Sequence, residues 1–159
     1  MDPNTEALLQ ALLTGTPVAA LGTLHEGAPF VSMAPVVPAP DGAGFLIHVS
    51  RLAQHTRDLL ADARMSLMLV APLTEGQDPL ALPRLTLQGM AEEIPAGSGA
   101  HAAAAEAYLA RFPQAELTLG LGDFSFFLLR PAAGRLVLGF GRALSLDASQ
   151  IRTALSGVR

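Results

Sequence analysis

The chain has 159 residues, enough for one domain and too few for a second core, and half of them are apolar against 15% charged. A mean hydropathy of +0.39 argues against a disordered chain, and no uncharged apolar run approaches the roughly 18 residues of a spanning helix. A net charge of -4, one tyrosine and no tryptophan count against nucleic-acid partners, and zero cysteine removes disulfides and thiolate metal sites.

The first six residues carry two acids, Asp2 and Glu6, and no base or leader-like pattern, so a cytoplasmic protein without membrane partners is expected. Asn4 or Thr5 can cap a first helix, residues 4–15, with Leu8, Leu9, Leu12 and Leu13 at helical spacing. Segments of strand length follow at 18–25, 30–37 and 45–50, separated by turn formers at Glu26-Gly27 and between Pro38 and Gly44, and they read as a three-strand meander. A helix over 53–63 places Leu52, Thr56, Leu59, Leu60 and Ala63 on one face and Arg57, Asp58 and Asp62 outward.

Residues 66–71 form a short apolar strand, and 84–94 alternates, with Leu85 and Leu87 facing one way and Arg84, Thr86 and Gln88 the other. An alanine-rich helix covers 101–112 up to Pro113. A final hairpin is read over 123–130 and 135–140 around Pro131 to Gly134, and Asp147 with Gln150 forms a capping box for a helix over about 147–156. The whole chain, 1–159, is thus expected to be a single, mainly β domain: an antiparallel barrel with peripheral helices. Met33, Met65, Met68 and Met90 read as core filler within apolar strands, and Asp123 as a turn cap.

His25, His48, His55 and His101 sit on separate elements, and no metal-site spacing is present, so no metal cage is assigned. Serine-nucleophile and dinucleotide motifs are absent as well, and no catalytic residue is named. The segment Ser50-Arg51-Leu52-Ala53-Gln54-His55-Thr56-Arg57 runs from a strand end into a helix start with two arginines, a histidine and two hydroxyls. Open amides at a helix N-terminus and arginine forks suit a phosphate monoester. The plainer account has Ser50 capping the helix and the charged groups solvated.

Ser50 to Leu59, continued by Ala61-Asp62-Ala63-Arg64-Met65-Ser66-Leu67, resembles the strand-helix-strand signature of the pyridoxamine 5'-phosphate oxidase-like FMN-binding split barrels. Pro29-Phe30-Val31-Ser32, the stretch from Pro83 to Gly89, Gly122-Asp123-Phe124 and the stretch from Leu138 to Ala143 are similar to the haem-utilisation (HugZ-type) branch. Together these pieces cover most of the chain between Val18 and Ala143, the span assigned to the barrel. The resemblance implies a six-to-seven-stranded split barrel, a homodimer, and FMN held between the two copies. It also implies that Ser50, His55, Thr56, Arg57 and Arg84 hold the FMN phosphate and that Ser32, Met33 and Val49 lie along the flavin. Phe140, Gly141 and Arg142 would approach from the partner copy.

The functional expectation is an FMN-dependent oxidoreductase acting on a small molecule. The alternatives are a haem-binding or haem-degrading protein, with Arg84 on a propionate and one of His25, His48, His55 or His101 as ligand, or a non-catalytic dimer. The stretch from Ser145 onward holds neither the substrate-phosphate motif of the vitamin B6 oxidases nor the axial histidine of the haem-degrading relatives, so the substrate stays open.

Overall fold

Glu26 and Gly27, both with positive φ (50° and 81°), turn the first two strands back on each other. β1 (Val18–His25) and β2 (Ala28–Pro35) pair antiparallel from Val18↔Pro35 to His25↔Ala28. The computed structural model describes residues 1–157. After β2 come β3 (Val37–Pro38), β4 (Phe45–Ser50), helix α2 (Gln54–Ala61), β5 (Arg64–Val70) and β6 (Arg84–Ile94). Helices α3 (Gly99–Arg111) and α4 (Glu116–Leu119) then lead to β7 (Phe124–Gly139), β8 (Arg142–Asp147) and α5 (Ala148–Ser156). The opening helix α1 spans Pro3–Gly15, and Asp2 rather than Asn4 or Thr5 caps it, accepting from the Asn4 and Thr5 amides.

All pairings are antiparallel, in the order β2-β1-β5-β6-β7-β4-β3 with β8 on the free part of β7, and β2 comes back against β4. The expected meander is therefore corrected: β4 pairs with β3 and β7, not with β2. The inner face collects Leu21, Phe45, Leu67, Leu87, Leu129 and Leu136 into the main core, closed by Leu9 and Leu13 of α1 and Ile151 and Leu155 of α5. The expected capping box of Asp147 and Gln150 starts α5.

A second core lies on the other side of β4 and β7, where Leu46, Phe126 and Leu128 meet Ala104 and Tyr108 of α3. Burial on both faces explains why β4 from Phe45 to Val49 and β7 from Phe126 to Leu129 are buried at every position. Phe126 to Leu129 is thus covered within the chain.

The hairpin expected around Pro131 to Gly134 is absent, and β7 runs straight through it. Pro131 sits where the β6–β7 register shifts between Gln88 and Gly89, a bulge that tolerates a residue with no amide proton. Gly134 is there for space, because a Cβ would press on Leu87 and Ile151. The actual turn is Phe140-Gly141, with Gly141 at φ 73°.

Helix α2 is also rotated from its expected face: Thr56, Asp58 and Leu59 are buried, while Leu52 and Leu60 are exposed. Of the four methionines expected in the core, Met65 is buried, but Met33, Met68 and Met90 face out. They occupy the outward parity of their strands, opposite Leu21, Leu67 and Leu87. Among the described residues, no helix is long and apolar enough to cross a membrane.

The approach of β6 to β7 is closest at Gly89, where an added Cβ would collide with the Arg130 carbonyl. Gly89→Ala is expected to destabilise the protein by about 2 kcal/mol or more, since backbone on both sides leaves nothing flexible to yield. Urea unfolding of the two proteins measures it, and equal midpoints and slopes would disprove the close approach.

Candidate functional site

Where β4 ends, Ser50 is fully occupied. Its hydroxyl donates to Asp123 Oδ2 (2.8 Å) and accepts from the Leu52 amide, and its carbonyl accepts from Thr56 Oγ1 (2.6 Å). The Asp123 carbonyl takes the Arg51 amide at 2.7 Å, so Asp123 ties the start of β7 to the start of α2, a larger role than capping a turn. Thr56 has no exposed surface and serves the local backbone. Ala53 is the N-cap of α2 and its methyl accepts no hydrogen bond, so the amides of the first turn are not satisfied by a capping side chain.

One turn further, α2 lies across β1 and the start of β2. Ser32 Oγ and His55 Nδ1 are 2.9 Å apart. Burial holds the His55 imidazole below its usual pKa, with the nearby Asp58 charge opposing, so it is neutral at pH 7. Asp58 is 3% exposed and accepts from Thr23 Oγ1 (2.9 Å), Gln54 Nε2 (2.8 Å) and His25 Nδ1 (2.9 Å). Burial alone would raise its pKa, but donation from Gln54, His25 and Thr23 outweighs burial and holds the carboxyl below the ordinary range. Arg57 is exposed and donates to Gln54 Oε1 at 3.0 Å.

Sequence reasoning placed Asp58 outward and missed Thr23, His25 and Gln54 as its partners. The signal was present in β1, where Thr23 and His25 share the inward parity of Leu21 and so require a polar partner beneath α2.

A second feature lies on the opposite, outward face of β1, β2, β5 and β6. Ala20, Gly22, Val31 and Met68 floor a groove of about 440 Å³, with Arg64 and Gln88 among its polar lining. Val31 is 69% exposed and Met33, beside it, 61%. The expected alternation of β6 holds, and Arg84 and Thr86 belong to this outward face. Thr86, which also lines the groove, pairs with Arg135 of β7, whose Nη1 donates to Ser145 Oγ at 3.0 Å. Arg64 is paired with Asp62, while Arg84 Nη1 donates to the Leu82 carbonyl.

The residues expected around one flavin thus divide. Ser32, Ser50, His55, Thr56 and Arg57 gather at the α2 corner, and Val49 is buried in the main core beside them. Met33 and Arg84 stand on the other face of the sheet. Phe140, Gly141 and Arg142 form the exposed β7–β8 tip, at the same end of the sheet as Arg84 because Arg84 pairs with Val137 and Val137 with Ala143. One copy of the chain does not bring the three groups together.

The remaining histidines are in the second core. His48 is 8% exposed, with ring centroids 4.4 Å from Phe126 and 5.1 Å from Phe124. Burial, aided by His101, lowers its pKa to about 4. His101 packs edge-on against Phe126.

Residues 5–138 match the family model of pyridoxamine 5'-phosphate oxidase. The chain belongs to this family. It is 36% identical over 138 residues to the non-canonical heme oxygenase HOZ of Arabidopsis thaliana chloroplasts, covering 85% of this chain but only 40% of that protein. It is 30% identical over 129 residues to the heme oxygenase HutZ of Vibrio cholerae, covering 79% of this chain and 71% of that one. A heme-binding protein of Mycobacterium smegmatis superposes with a TM-score of 0.85 at 32% identity, over 96% of this chain and 62% of its own. The fold is therefore the antiparallel split barrel expected from the sequence, near the haem-utilisation branch.

Two titrations follow from these environments. Asp58→Asn is expected to cost about 1.5–3 kcal/mol of stability at pH 7. The carboxylate has a lowered folded pKa, so its contribution is present above its unfolded pKa near 4 and is lost as pH falls through the folded value. Urea unfolding should accordingly show the two proteins converging at low pH, and a constant gap would refute the assignment. His48 has the opposite chemistry: the unfolded chain takes up a proton at about pH 6.5 that the folded chain refuses until about pH 4. Stability should drop across that window, and His48→Phe should remove this part of the pH dependence in melts run from pH 7 to pH 4.

Proposed function

We propose that this protein binds haem and acts in haem utilisation, with haem breakdown as its activity. The observation that carries the reading is the outward face: an open apolar floor of Ala20, Gly22, Val31 and Met68 with Arg64 in its lining and Arg84 further along the same face of β6. That pattern suits a flat macrocycle with two carboxylates, whose ring displaces water from the floor while guanidinium forks take the propionates. Identity of 30% or more to two heme oxygenases and a heme-binding protein supports it. Haem would supply an iron that binds dioxygen once reduced, and this chain's part is to hold the ring, anchor its carboxylates and keep water from it.

A second copy of the chain is the proposed partner, covering the apolar side chains that one copy leaves exposed at Val31 and Met33. FMN is a second reading, favoured by one observation, the uncapped first turn of α2 beside His55 and Arg57. A flavin phosphate would lie there, and the flavin would supply hydride or electron transfer.

Parallel titrations with ferric hemin and FMN, read by absorbance, separate the two. Hemin is expected to bind, and Arg84→Leu to weaken it by about tenfold or more through loss of a charge-assisted bond worth about 1.5–3 kcal/mol, with the melting temperature little changed. Tight FMN with no hemin spectrum would replace the haem reading by the second. Sedimentation at micromolar concentration should show a dimer, and a stable monomer would remove the proposed partner.

A further inference from the structure

Strand β5 turns Arg64, Ser66, Met68 and Val70 to the outward face, while Met65, Leu67 and Leu69 are buried. Met68 pairs with Ala20 of β1 on one side and with Thr86 of β6 on the other. Ser66, its neighbour on the same face, pairs with Gly22. Shorter side chains therefore surround the methionine, and its thioether stands above them at 38% exposure. Two hollows meet at this point. The groove of about 440 Å³ and a second hollow of about 210 Å³ further along β1 and β5 both have Ala20 and Met68 in their lining.

Haem iron takes neutral nitrogen or soft sulfur donors in its axial positions. No histidine lines either hollow. Arg64 has no lone pair to give, and the Thr23 hydroxyl is spent on Asp58. Ser66, Thr86 and Gln88 offer only hard oxygen donors. Met65 is 5% exposed and belongs to the main core. Met33 lines the smaller hollow alone, whereas Met68 borders both, so a flat ring spanning the two has its centre over the Met68 sulfur. Arg84 pairs with Val70, two residues along β5 from Met68. Strand geometry places the Arg84 and Met68 Cα atoms about 8 Å apart, which brings a carboxylate at the ring edge within reach of the guanidinium.

We infer that Met68 is the iron ligand for haem that spans the two hollows, its thioether sulfur donating a lone pair to the iron. This assignment rests on the haem-binding reading and adds the ligand. No bond breaks, and a thioether has no proton to lose, so the ligation is independent of pH. A soft sulfur holds ferrous iron better than ferric iron, and Met68 accordingly raises the reduction potential of the haem.

The test uses the full chain loaded with ferric hemin and then reduced. Ligation is read by near-infrared magnetic circular dichroism and resonance Raman, the potential by spectroelectrochemistry, and affinity by absorbance titration. The unaltered protein should show a thioether-ligated spectrum and no iron–histidine stretch, and Met33→Leu should keep it. Met68→Leu nearly conserves volume at a part-exposed site, so it should fold normally. It should lose the thioether signature, lower the reduction potential and bind reduced haem about tenfold more weakly, with a smaller effect on ferric hemin. Met68→His should gain an iron–histidine stretch, which an iron held elsewhere on the protein would not produce. If that variant folds poorly by circular dichroism, Met68→Leu decides alone.

A Met68→Leu protein with unchanged spectrum and potential overturns the assignment while leaving haem binding intact. So does an iron–histidine stretch in the unaltered protein, or loss of the thioether signature in Met33→Leu. An unaltered protein that takes up no hemin overturns the haem-binding reading itself, and this ligand with it.

Discussion

The architecture hangs on β7, because this one strand is shared by two hydrophobic cores. Phe127, Leu129 and Leu136 point into the core under α1 and α5, while Phe126 and Leu128 point into the core under α3. A strand buried on both faces cannot slip by one residue, since every side chain would then enter a space shaped for another. With its register fixed, β7 fixes β4 on one edge, β6 along the other and β8 beyond Arg130. The start of α2 is placed in turn by two bonds from Asp123, which immediately precedes this strand.

Two polar arrangements lie on opposite faces of the sheet. Beneath α2, one buried carboxylate organises Thr23, Gln54 and His25, and its charge is offset by donors within the same pocket. On the far face, Arg64 and Gln88 edge exposed apolar side chains. The first arrangement is costly to disturb, because removing a donor leaves a desolvated charge, whereas the second is solvated and open to exchange water for a ligand.

Much of the fold was legible from alternation and punctuation. β1, β4 and β6 fall at the expected limits, because Glu26-Gly27, the Pro38 to Gly44 loop and the strict alternation of Leu85 and Leu87 each have one simple explanation. Pro131 and Gly134 misled because the same residues that make turns also make bulges and close packing, and only the neighbouring strand decides between them. The face of α2 was misjudged for a related reason: it packs on threonine and histidine rather than on leucine, so Asp58 could be buried and Leu60 exposed. The candidate site was legible as a segment, Ser50 to Arg57, but its division from Arg84 was not. Parity along a strand is local, whereas the side of the sheet that meets α2 is settled by the whole chain.

The sheet begins at β2, which has an unpaired side over much of its length and carries Val31 and Met33 on an exposed face. Such a border is a template for indefinite strand addition, the route to insoluble assemblies. Pro29 and Pro35 stand near its two ends, each unable to donate a backbone hydrogen bond to an incoming strand. They shorten the stretch on which a foreign strand could zip, so the surface can stay apolar enough to receive a ligand or a second copy without inviting open-ended growth.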